Sequence, residues 1–213
     1  MVRLYEQHDW VIFCILGCIF IFIFSFIFLH RDASIKEFLL LKKDESSNVV
    51  LSWILTSIVF CVMSTVAFSQ FVPVVPKFIS DLQIGGFALN KFGFVFISIV
   101  LFFLIKTIMT YFFFTSLGYN KLLINLYILA NKYYFLSSIL LIIASFTFFY
   151  FPIDELKYLY IAMISVLFLF ILKLFLYWFN KPQTMPNEWY YKILYICTLQ
   201  IAPLFVLWKF LFS

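Results

Sequence analysis

Charge is the scarcest property of this chain. Only 12% of its 213 residues are Asp, Glu, Lys or Arg and 65% are hydrophobic, whereas a soluble domain carries about a quarter charged residues. A chain of this length has too little interior to hide 32 Phe and its long Ile/Leu runs from water, which excludes an aqueous fold and makes lipid the covering solvent. Period-two alternation is missing as well. The apolar runs are continuous over about twenty residues, whereas barrel strands alternate over about ten, so the spanning elements are helices.

Metal and nucleophile chemistry is equally thin. The only two histidines, His8 and His30, flank opposite ends of one apolar run, and no HExxH spacing occurs. Cys14, Cys18, Cys61 and Cys197 each sit inside an apolar run without a CxxC pair, so no disulfide framework is implied. Cys14 and Cys18 share one helix face at i,i+4, but neither His nor carboxylate accompanies them at that depth, and both read as lining residues. No catalytic group or cofactor motif emerges, and no enzyme is expected. The loops are short and mix Lys with Asp and Glu, which leaves no basic face for nucleic acid.

What remains is a single transmembrane domain over residues 1–213, all-α, with six spans at approximately 10–29, 49–72, 92–117, 133–151, 156–179 and 193–212. A twenty-residue helix rises about 30 Å, the thickness of the hydrocarbon layer. The first run lacks a basic leader and reads as a retained span, not a cleaved signal. In the 30–48 connector, Ser34 and Glu37 have the spacing of a capping box, ahead of a short interfacial helix or an ordinary irregular connector. Pro73, Pro76 and the Gly85-Gly86 pair break the chain between the second and third spans. That apolar connector lies along the surface or re-enters between helices. Residues 122–130 are too few to span and belong to the interface or extend a neighbouring helix. Ser52, Thr56, Ser57, Ser64 and Thr65 make the second span suited to close helix contact.

Polar groups within the spans are the candidates for function. Lys106 lies fourteen residues from the start and eleven from the end of the third run. An ammonium at that depth costs about 2.5 to 3.5 kcal/mol on insertion scales, so Lys106 is expected to face inward onto a partner. Gln200 in the sixth span is at a compatible depth, and Pro203 frees the carbonyl of Leu199 beside it. Thr107, Thr110 and Tyr111 follow Lys106, and Tyr195 and Thr198 precede Gln200, which completes a candidate helix-contact network. Lys173, six residues before Phe179, belongs to the same set but has room to snorkel along its own helix. Lys209 reads as an interfacial anchor.

The stretch from Trp189 to Leu204, WYYKILYICTLQIAPL, and the Lys106-Thr107 step resemble a family of multi-pass inner-membrane proteins of Bacteroidetes described as a domain of unknown function. The resemblance covers most of the chain and implies a bacterial inner membrane, with no reaction attached. It also implies an acidic residue where this chain has Gln200, so an ion pair with Lys106 does not carry over.

Neither a repeat nor an acidic coupling residue marks a secondary transporter. The leading expectation is an accessory or assembly subunit that contacts lipid and other membrane subunits or its own copies. The alternative is a small ion or solute transporter built on the network around Lys106. For orientation, Arg3, Lys77, Lys91 and Lys157 fall on one side, against Arg31, Lys36, Lys42, Lys43, Lys121, Lys132, Lys181 and Lys192 on the other. The basic excess assigns the second group to the cytoplasm and both termini to the opposite face. Cysteines introduced at Arg3 and Ser213 should react with a membrane-impermeant maleimide in intact cells; reaction only after permeabilisation would reverse the orientation.

Overall fold

A computed structural model describes residues 9–29, 49–69, 71–72, 83–84, 87–88, 90–151, 155–179, 186 and 188–212. The expected interfacial segment in the 30–48 connector lies outside them. Six helical rods make up the described chain: α1 (Asp9–Leu29), α2 (Val49–Ser69), α3 (Lys91–Ser116), α4 (Asn120–Tyr150), α5 (Glu155–Phe179) and a last rod. The last rod runs continuously through α6 (Trp189–Leu194), a π-helical segment (Tyr195–Ile201) and α7 (Ala202–Phe212). Gln83–Ile84 and Phe87–Ala88 form a two-residue antiparallel strand pair, Gln83 facing Ala88.

By length and composition, α2, α3, α4 and the last rod can each cross a membrane, while α1 and α5 carry shorter apolar stretches, Trp10–Ser25 and Ile164–Phe175. The protein is an all-α, multi-pass membrane protein. Its outer surface is made of large apolar side chains such as Phe13, Phe20, Phe112, Phe168 and Phe205, all exposed, as a lipid-facing surface requires.

Helix α2 is the centre of the bundle, and its contact with α4 is the most extensive between any two helices. Its buried residues include Ser52, Thr56, Ser64, Thr65 and Ser69, short side chains that let neighbouring backbones approach. Several of these hydroxyls return to their own helix: Thr65 Oγ1 donates to the Cys61 carbonyl at 2.8 Å and Ser69 Oγ to that of Val66 at 3.1 Å. In α1 the buried residues Val11, Ile15, Cys18, Phe22 and Ser25 recur at alternating intervals of four and three. That spacing keeps one stripe against the neighbour and the rest toward lipid. The stripe packs on Val59, Met63 and Val66 of α2 and on Phe135 of α4.

Of the two alternatives for residues 122–130, the structure shows the extension of a neighbouring helix: they are the first turns of a 31-residue helix, about 46 Å long. Between Asn120 and Lys132 nothing breaks a helix, and Asn131 does not end one because its amide is satisfied sideways. Asn131 Nδ2 donates to Ser52 Oγ at 2.8 Å, and Thr56 Oγ1 donates to Asn131 Oδ1. The third connector therefore shrinks to a tight turn. Gly118, at φ +73°, donates to the Thr115 carbonyl at 3.1 Å while Tyr119 donates to that of Phe114 at 3.0 Å, the paired bonds of a Schellman stop, which needs a residue in the left-handed region. Lys132 is consequently inside α4. The basic residues on its side fall from eight to seven against four, without reversing the bias.

Replacing Asn131 with Leu removes the only amide in the α2–α4 clamp. We expect a loss of about 1 kcal/mol of resistance to SDS unfolding, within the range of interhelical hydrogen bonds in membranes. An unchanged unfolding curve would show that the clamp contributes nothing.

Candidate functional site

The rods alternate in direction. Phe94 near the start of α3 packs with Leu211 at the end of the last rod, whereas Phe114 near the end of α3 packs with Tyr195. As a result, the second halves of α3 and α5 and the first halves of α2, α4 and the last rod occupy the same end of the bundle. A polar cavity lies between them, lined by Trp53 of α2, Lys106, Thr107 and Thr110 of α3, Leu126, Tyr127, Ala130 and Tyr134 of α4, Lys173 of α5, and Tyr195 and Gln200 of the last rod. Lys106 is ten residues from the end of α3 at Ser116, about 15 Å along the axis. The cavity therefore sits at intermediate depth on the side of the first, third and fifth connectors.

The two lysines meet in this space. Both side chains line it, close enough for their charges to interact. Lys173 does not snorkel: it is 2% exposed, and its Nζ lies 4.6 Å from the ring centroid of Tyr133 and 5.0 Å from that of Tyr134. Those ring faces supply the negative potential that a buried ammonium would otherwise draw from water. Lys106 is partly buried, with its Nζ 5.8 Å from the Phe102 ring.

Across the cavity the last rod contributes a short relay. Gln200 Nε2 donates to the Tyr195 hydroxyl at 2.8 Å, and that hydroxyl also meets Thr110. Tyr195 and Gln200 are five residues apart, a spacing that an α-helix turns about 140° out of line and that the wider π turn brings onto one face. The π segment is where Pro203 was expected to bend the rod. There the turns widen, and Ala202 donates to the carbonyl of Cys197, five residues back. Pro203 itself does not line the cavity.

Two other members of the expected network also lie elsewhere. Tyr111 is 52% exposed on the outside of α3, and Thr198 is exposed with its hydroxyl turned back to the Leu194 carbonyl at 2.6 Å. Lys209 is exposed near the end of the last rod. Sequence reasoning missed Trp53, Tyr127 and Tyr134, since one aromatic among so many in an apolar run carries no mark. The available signal was the depth of Asn131: an amide satisfied by Ser52 and Thr56 sets the register of α2 on α4 and so brings Trp53 to Tyr127, their rings 4.7 Å apart.

Two buried atoms on the cavity wall have no hydrogen-bond partner, Trp53 Nε1 and Gln200 Oε1. Among the described residues no group of three or more His, Cys, Asp or Glu side chains is placed to hold a metal.

The family model described as a domain of unknown function (DUF4271) matches residues 10–211. The chain belongs to the DUF4271 family. The match runs through all six rods, so the cavity lies wholly inside the family domain. No curated protein and no solved structure matches the chain.

Because the two lysines line one small cavity, replacements at Lys106 and Lys173 should not be additive. In a double-mutant cycle with Met at each position, the stability changes should depart from their sum by more than about 0.5 kcal/mol, the usual limit for independent sites. Additivity would place the amines apart.

Proposed function

We propose that this protein is a non-catalytic carrier or channel for a small solute, which binds in the cavity around Lys106 and Lys173. The observation that carries this reading is the convergence of polar groups from five rods on one space inside the bundle, with two wall atoms left unsatisfied. Groups that serve only to hold helices together close on one another, as Asn131, Ser52 and Thr56 do. The hydroxyls of Ser57, Ser64, Ser137 and Ser145 are also buried without a partner, so it is the convergence of Trp53 and Gln200 with two lysines on one space, more than an unsatisfied atom by itself, that points to a ligand or water. Ionisable residues inside a membrane bundle also mark solute paths more often than structural joints. We further propose a bacterial inner membrane as the location, with both termini on the non-cytoplasmic face; support comes from the resemblance of the terminal stretch and from the basic excess in the first, third and fifth connectors.

A role as an accessory subunit is a second reading. It is favoured by α7, which turns Phe205, Val206, Trp208 and Phe210 outward as a surface for a partner helix or a second copy. Purification in mild detergent separates the two, since a stoichiometric partner supports assembly.

The transport reading is tested in reconstituted vesicles by light scattering, with a panel of salts and small neutral solutes. The wild type should pass at least one solute faster than protein-free vesicles, and Lys106→Met should slow it by about tenfold, the effect of about 1.4 kcal/mol. Permeability equal to that of empty vesicles for every solute would reject the reading.

A further inference from the structure

We infer that the solute held by this cavity is a small inorganic monoanion of halide size. The inference deepens the transport reading and rests on its assignment of the cavity as the binding site. Charge and hydrogen-bond sense decide the class of ligand, and volume decides its size.

Among the described residues the wall carries two lysines and no carboxylate. By sequence position none of the ten acidic residues falls deep within a described rod: Asp9, Glu155 and Glu188 lie at rod starts, and the other seven fall outside the rods. A metal cation would meet two amines at close range with only hydroxyls and one amide oxygen to bind it. Hard cations in proteins take several oxygens, usually with carboxylates among them, and this wall offers no such set.

Donors, by contrast, are in excess. Trp53 Nε1 carries an N–H that can only donate, and it is buried without an acceptor. Thr107 and the lysine side chains add further donors on the same wall, while the Thr110 hydroxyl is engaged by Tyr195. Gln200 looks like the exception, because its unpartnered atom is an oxygen and the residue is only 1% exposed. Its amide has two nearly equivalent orientations, however, and the choice between them follows the hydrogen bonds around it. Turned over, Oε1 accepts from the Tyr195 hydroxyl and Nε2 presents an N–H to the cavity. An anion in the cavity would select that orientation, and every unsatisfied atom on the wall would then be a donor.

The cavity volume is about 20 Å³ for the centre of a water molecule, where about 10 to 15 Å³ on that measure admits one water. A group seated wholly within that space is no larger than a halide or a water.

Trp53 supplies the assay, since bromide quenches indole emission on contact. The full chain in detergent is titrated with sodium bromide against sodium gluconate at constant ionic strength. Subtracting the signal of Trp53→Phe isolates this indole from the other four tryptophans. The difference emission should fall along a saturating curve in the millimolar range, and chloride should shift that curve to higher bromide while sulfate does not. Lys106→Met and Lys173→Met, each checked for helix content by circular dichroism, should weaken the half-saturation by about tenfold. Quenching that stays linear in bromide and ignores chloride would overturn the inference without needing any variant. Saturable binding that both lysine variants retain would overturn it too. If bromide saturates and no solute crosses vesicles, the anion site stands and transport falls; if vesicles pass only cations or neutral solutes, transport stands and the anion falls.

Discussion

The amide of Asn131, held between the hydroxyls of Ser52 and Thr56, is the contact on which the arrangement of the bundle depends. Apolar side chains give little direction in lipid, because a Leu is as well solvated by an acyl chain as by another Leu. Hydrogen bonds between rods are therefore what fix register, and this one lies in the most extensive helix pair. With α2 and α4 locked, α1 lays its stripe of Val11, Ile15, Cys18 and Phe22 along their seam, α3 closes the other side of α2, and α5 brings Lys173 onto Tyr133 and Tyr134 of α4. The cavity is what remains at the end where five rods converge.

Two ways of burying polarity coexist here. In the clamp, donors and acceptors are matched and nothing is left over. In the cavity, amines, hydroxyls, an indole and an amide face one another with donors in surplus. A matched set is stable as it stands and has no use for a ligand. An unmatched set at the same depth is destabilising until something fills it, and aromatic faces around Lys173 offset only part of that deficit.

Much of the helix pattern was legible because lipid imposes length and continuous apolarity: the runs beginning at Trp10, Val49, Phe92 and Leu156 coincide with rods to within a few residues. The start of the fourth was set too late, leaving its extension back to Asn120 as one of two alternatives, for an instructive reason. Asn131-Lys132 reads as a break when polarity is equated with the membrane boundary, yet an Asn that meets two hydroxyls inside the bundle costs the helix nothing. At the site, Lys106, Thr107, Thr110, Lys173, Tyr195 and Gln200 could be named from their depth, since polar groups in apolar runs stand out. Tyr111 and Thr198 could not be set apart from them, because depth along a helix says nothing of angle around it. Trp53 and Tyr134 were invisible for the opposite reason, being amphipathic residues in a chain with 23% aromatics.

The π segment acts as a phase shifter within one continuous rod. Its wide turns displace everything after Ile201 by about one residue's rotation, roughly 100°, relative to a regular helix. The π segment itself aims Tyr195 and Gln200 at the cavity, while α7 aims Leu211 at Phe94 and turns its aromatics outward. Deleting a single residue between Tyr195 and Ile201 would restore ordinary pitch and leave only one half of the rod correctly aimed. A rearrangement that moved the wide turn along the chain would do the same reversibly, so the aim of Gln200 and the docking of Leu211 are two readings of one angular coordinate.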